Sequence, residues 1–160
     1  MQRQKKQNGF GLVEIILGGA ILSFILFSLS SFLVLAQRVH DRTDHVVRAN
    51  YLMLEAIDAA RILRDNSWSA SIGTLAVGTP YYFVWDSSSW VPTTTPTLID
   101  GTYDRTITFG NVLRDVNDNI ATAGILDTGT RSVSVHVAWK DLQGTSSRQF
   151  DTYITDLFDN

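Results

Sequence analysis

The chain has 160 residues, 44% of them hydrophobic and 18% charged, a globular rather than a disordered composition. Its formal charge is −3, and subtracting the three cations Arg3, Lys5 and Lys6 leaves about −6, so the basic footprint that general nucleic-acid binding needs is missing. There is no cysteine, which excludes disulfides, Cys-ligated zinc and a thiol nucleophile.

Residues 1–9, MQRQKKQNG, are short, polar and basic. An apolar run follows, FGLVEIILGGAILSFILFSLSSFLVLA, and residues 15–36 hold neither a charge nor a proline. As a helix rising about 1.5 Å per residue, that stretch reaches roughly 33 Å, enough for a bilayer core of about 30 Å. Cations before the span and none inside it predict a cytoplasmic N-terminus and an exported remainder. A secretory signal cut after Val34-Leu35-Ala36 is one reading, but the apolar region is too long for one and a carboxylate sits near its start. A plain single-span anchor accounts for everything except Glu14, and a carboxylate at the edge of a span is a functional hypothesis by default.

Beyond Ala36 the polarity changes but the helical period continues. Val46, Ala49, Met53, Ala56, Ile57, Ala60 and Leu63 recur at three- and four-residue spacing and form one apolar stripe. Asp44 with Arg48, and Arg61 with Asp65, stand four apart and are expected to pair. One helix is predicted over 10–65, stopped at Asn66 or Ser67, with two helices broken near 37–44 as the alternative.

The rest reads as β-structure. Tyr81-Tyr82-Phe83-Val84-Trp85 is a short strand, and residues 105–113 alternate with Ile107, Phe109 and Val112 on the apolar side. Residues 131–139 set Val133, Val135, Val137 and Trp139 against Ser132, Ser134, His136 and Ala138. Residues 148–154 follow a turn at 141–145, so the last two strands should pair antiparallel, with Phe150, Thr152 and Ile154 on one side. Residues 85–97 read as a surface loop whose Ser and Thr are possible glycan acceptors. The fold class is therefore α+β, a long N-terminal helix packed on a C-terminal antiparallel sheet. The divisions are 1–9, a leader; 10–36, a spanning helix; 37–66, its continuation; and 67–160, a β-rich head.

Gln7-Asn8-Gly9-Phe10-Gly11-Leu12-Val13-Glu14 and the apolar run behind it resemble the leader of type IV pilins and type II secretion pseudopilins. In that family a basic leader ends in Gly, the mature chain begins with a hydrophobic residue, and Glu is its fifth. The resemblance implies cleavage by a prepilin peptidase between Gly9 and Phe10, methylation of the new Phe10 amine, and use of Glu14 in filament assembly. Gly9 lacks a side chain, so a protease can approach the backbone closely. Glu14 would neutralise the amine of a neighbouring subunit, a contact that selects register because a buried charge is costly unless paired. Gly18, Gly19 and Ser23 are small enough for close helix approach.

Residues 54–68, Trp139 and residues 148–155 resemble PilV-type minor pilins. The missing proline near Ser31 and the missing cysteine pair point the same way, to a minor subunit or a pseudopilin. The implied partners are other pilin subunits, the peptidase, an assembly platform and the membrane, with no nucleic acid. The implied location is a single-pass inner-membrane protein that enters a surface or periplasmic filament. A membrane-anchored adhesive or ligand-binding domain that never polymerises is the alternative of another class.

No catalytic constellation is legible, so a non-enzyme is expected. His40, His45 and His136 lack metal or relay spacing and are read as exposed polar residues. Asp115-Val116-Asn117-Asp118-Asn119 places oxygens at alternate positions, but Ile120 and Leu126 stand where a calcium loop needs Gly and Glu, so an Asx-rich turn is expected. Trp68, Trp85, Trp90 and Trp139 are assigned to core packing. No metal or cofactor is called for.

Overall fold

A computed structural model describes residues 11–141 and 144–158 of the chain. It contains one long helix, α1 (Gly11–Asn66), and seven strands: β1 (Pro80–Trp85), β2 (Trp90–Thr93), β3 (Leu98–Ile99), β4 (Tyr103–Arg114), β5 (Ile120–Ala121), β6 (Ile125–Asp141) and β7 (Gly144–Thr155). The chain divides into two compact units, Met1–Thr43 and Asp44–Asn160. The first consists, in its described part, of helix alone. The second is α+β, with the end of α1 packed on an antiparallel sheet.

α1 runs without a break through 37–44, so the two-helix alternative is excluded. Of its predicted stripe, Ala49, Met53, Ala56, Ile57, Ala60 and Leu63 are buried and Val46 is half-buried, and Leu52 and Ala59, outside the stripe, are buried with them. Four of these are alanines, which let the helix axis lie close to the sheet. The charged faces are wired differently from expectation. Arg48 reaches Asp100 at 2.8 Å, in the turn between β3 and β4. Arg61 turns back to Asp58 at 2.9 Å, and Arg64 bonds Asp65 at 2.7 Å. A partner one turn earlier, or across the fold, outcompetes an exposed i,i+4 pair worth only a few tenths of a kcal/mol.

The sheet order is β2-β1-β4-β6-β7, with β3 and β5 also paired to β4. Ile107 and Phe109 of β4, and Val133, Val135, Val137 and Trp139 of β6, face the helix as the alternation predicts. Each such burial stabilises by about 1.5–3 kcal/mol. Val112 is also buried, although it falls on the opposite parity. The register with β6 shifts at this point, between Asn111 and Val112, and Val112 is not part of the cluster beneath α1. β6 and β7 pair from Thr130↔Thr155 to Asp141↔Gly144. The expected inward set on β7 is only partly realised. Ile154 is buried, Thr152 is half-buried and Phe150 is exposed, because β7 is the sheet's edge.

The predicted loop at 85–97 contains β2. The turn at Asp86–Ser89 closes with Asp86 N–H donating to Ser89 C=O at 2.9 Å, and Trp85 pairs with Trp90. The polar composition belongs to the turn, while Trp90 is half-buried on the sheet. The β3–β4 turn is the Asp100-Gly101 pair, with φ of 52° and 65° and Thr102 N–H bonding Ile99 C=O. Asp-Gly favours such a turn, and because Ile99 pairs with Tyr103, Thr102 stands as an extra residue beside it.

Candidate functional site

The expected cleavage and methylation positions, Gly9 and Phe10, lie outside the described residues. Glu14 is described and stands in the first turn of α1, where a carboxylate is favoured by the helix dipole. Behind it the helix is apolar on every side, and its leucines, isoleucines and phenylalanines are exposed within the single chain. It is long and apolar enough to cross a membrane.

Three hydroxyls in and just beyond this segment bond back to the helix. Ser23 Oγ donates to Gly19 C=O at 2.8 Å, Ser31 Oγ to Phe27 C=O at 3.0 Å, and Thr43 Oγ1 to Val39 C=O at 2.8 Å. Such back-bonding gives these hydroxyls a partner within the helix, as an apolar medium requires. Gly18 and Gly19 have nothing within 4 Å of where a Cβ would stand, so their surface is open to a partner helix. Glu14 is thus a single carboxylate at one end of an otherwise uncharged, exposed helical surface.

In the β-rich unit, strand alternation carries Arg105 to the inward face of β4, between Tyr103 and Ile107. It is buried under α1. Its Nη1 donates to Leu52 C=O at 3.2 Å and Glu55 Oε1 at 2.8 Å, and its Nη2 to Phe83 C=O at 3.1 Å. Its guanidinium carbon lies 5.7 Å from the centre of the Trp90 ring. One side chain therefore ties α1, β1, β2 and β4 together. It was missed in the sequence, where its signal was a cation in an inward register.

A second arginine organises the far end of the β4–β6 pair. Arg114 Nε donates to Asp127 Oδ2 at 2.6 Å and Nη1 to Asp118 C=O at 2.8 Å. This bond holds the Asp127 carboxyl below the usual carboxylate range, with the Thr130 hydroxyl adding to the effect, and raises Arg114. The loop before β5 is an Asx turn: Asp115 Oδ1 accepts from Asn119 N–H at 2.9 Å and Asn117 N–H at 2.8 Å. Those backbone donors, Asn119 first, lower the Asp115 pKa. Asp115 Oδ1, one of the oxygens that suggested a cation loop, is thus engaged with the loop's own backbone. Gly124, at φ +148°, lies against the Arg114 carbonyl where no side chain fits.

Two of the three histidines are less exposed than expected. His45 Nδ1 is 2.7 Å from Tyr103 Oη, and its ring stacks on Trp139 at 6.2 Å. His136 is half-buried on β6, and His40 is exposed. Both follow from place: His45 lies on the helix flank facing the sheet, and His136 lies between two strands. Among the tryptophans, Trp68 and Trp139 are core residues, Trp90 packs on Arg105, and Trp85 is exposed.

No family model, curated protein or solved structure matches the chain.

Proposed function

We propose that the chain is a structural, minor subunit of a type IV pilus-like filament. In this reading a prepilin peptidase cuts between Gly9 and Phe10, the new amine is methylated, and α1 carries the subunit from the membrane into the filament. The observation that carries it is one uninterrupted helix whose first half is apolar and exposed, with Glu14 in its first turn, and whose last turns pack on an antiparallel sheet. An anchor alone needs no carboxylate there. A polymerising helix does, because a neighbour's cationic amine needs a partner once both leave water. The leader cations Arg3, Lys5 and Lys6 favour a cytoplasmic N-terminus.

Two measurements test this. Sequencing of the mature N-terminus should begin at Phe10, whereas a start at Met1 or Gln37 overturns the processing. Glu14→Ala should be processed normally yet fail to enter sheared filaments. Incorporation equal to that of the unaltered chain overturns the assembly role.

A further inference from the structure

The sheet has two faces, and α1 covers only one. On the other, the register sets two rows side by side. Thr108, Ser134 and Asp151 form one row, and Gly110, Ser132 and Tyr153 the next. A glycine inside a strand weakens it and often marks a close approach. At Gly110 a Cβ would collide with the Ser132 hydroxyl, so glycine keeps the centre of this face low. The segment at Val77 and Gly78 rises beside it, pinned by Gly78 N–H donating to Phe109 C=O at 2.9 Å. The result is a depression of about 420 Å³, within the roughly 300–1,000 Å³ of small-molecule sites.

Its lining has a definite chemistry. The Tyr153 ring is half exposed along one side. Both Asp151 oxygens accept from Gln149 Nε2, at 3.0 and 3.1 Å, which fixes the carboxylate and leaves lone pairs for further donors. The Ser134 hydroxyl also bonds Asp151 and helps keep it ionised. Ser132 and Thr108 add hydroxyls, Val77 adds an apolar wall, and no lysine or arginine lines the depression.

We propose that this trough binds a short neutral saccharide. The carboxylate accepts from adjacent sugar hydroxyls, the serine and threonine hydroxyls complete the hydrogen bonds, and the Tyr153 ring packs on the C–H face of a pyranose. With no cation in the lining, an acidic sugar is disfavoured. The trough lies wholly within the β-rich unit and does not depend on filament assembly.

The test is titration of the full-length chain in detergent micelles with lactose, maltose and N,N′-diacetylchitobiose, followed by amide NMR. At least one disaccharide should give saturable shifts centred on Gly110, Ser132 and Tyr153. Tyr153→Ala and Asp151→Asn, each shown to keep the folded spectrum, should weaken binding at least tenfold, while Tyr51→Ala on the helix should not. No saturable shift with any of the three at millimolar concentration overturns the proposal. So does unchanged affinity in both trough variants, or stronger saturation of the same residues by trilysine.

Discussion

Arg105 Nη1 and Glu55 Oε1 are 2.8 Å apart, yet the two side chains occupy different media: Arg105 is 4% exposed and Glu55 47%. The pair is therefore asymmetric. Removing the carboxylate leaves a guanidinium still bonded to two carbonyls, whereas removing the guanidinium strands the Phe83 carbonyl and leaves a buried gap under α1. Arg105→Ala is expected to cost roughly 2–3 kcal/mol, and Glu55→Gln less than about 1 kcal/mol. Thermal melts of the two variants in the same detergent check the order. Equal losses would mean that the ion pair, rather than the buried carbonyl and the packing under α1, carries the energy.

The helix–sheet contact rests on small residues. Ala60 is fully buried against the sheet, so a larger side chain must displace either the helix or its neighbours. Ala60→Leu should destabilise by about 1–3 kcal/mol although it adds apolar surface. A raised melting temperature would show slack in this interface.

Glycines 124 and 78 both have positive φ but different surroundings. Gly124 lies against the Arg114 carbonyl, while Gly78 has open space where a Cβ would stand. Gly78→Ala should lose about 1 kcal/mol from backbone strain alone, and Gly124→Ala clearly more. The gap between their melting temperatures measures the collision separately from the torsion.

Asp115 and Asp127 have carboxyls depressed by different donors, the first by backbone amides and the second by Arg114. A depressed folded pKa contributes stability that is present above the unfolded value of about 3.9 and is lost as pH falls through the folded value. Carboxyl-carbon NMR should therefore show both groups titrating below the ordinary aspartate range. Arg114→Gln should move the Asp127 midpoint up and leave Asp115 in place. A common shift of both would mean that the loop, rather than the ion pair, sets the two values.

Much of the architecture is legible in periodicity. The 3.6-residue stripe from Ala49 to Leu63 and the strict alternation from Val133 to Trp139 each specify one buried face, and the structure buries both. What periodicity misses has local causes. Val112 is buried off the alternation, where the β4–β6 register shifts. β2 is hidden because a Ser-rich turn dominates its composition. The Asp100-Gly101 turn was readable from its dipeptide. Arg105 breaks the apolar pattern, and only its inward parity betrays it. Glu14 stands out in the sequence as the lone carboxylate in an apolar run, but nothing local indicates what it would meet. The two rows of the trough join β4 to the β6–β7 hairpin, and they depend on the register across three strands, which no single window of residues displays.

The two margins of the sheet are unlike. β7 runs for twelve residues with no strand beyond it among the described residues, whereas β2 is four residues long and carries Pro92. Growth of a sheet from molecule to molecule is a chain reaction that needs a competent margin on each side of every copy. Here one margin is a long template and the other a terminator. A sheet that met another copy at β7 would find no matching margin at β2 to carry the growth further. The fold thus allows pairing at high local concentration while withholding the second reactive end that an amyloid-like ribbon requires.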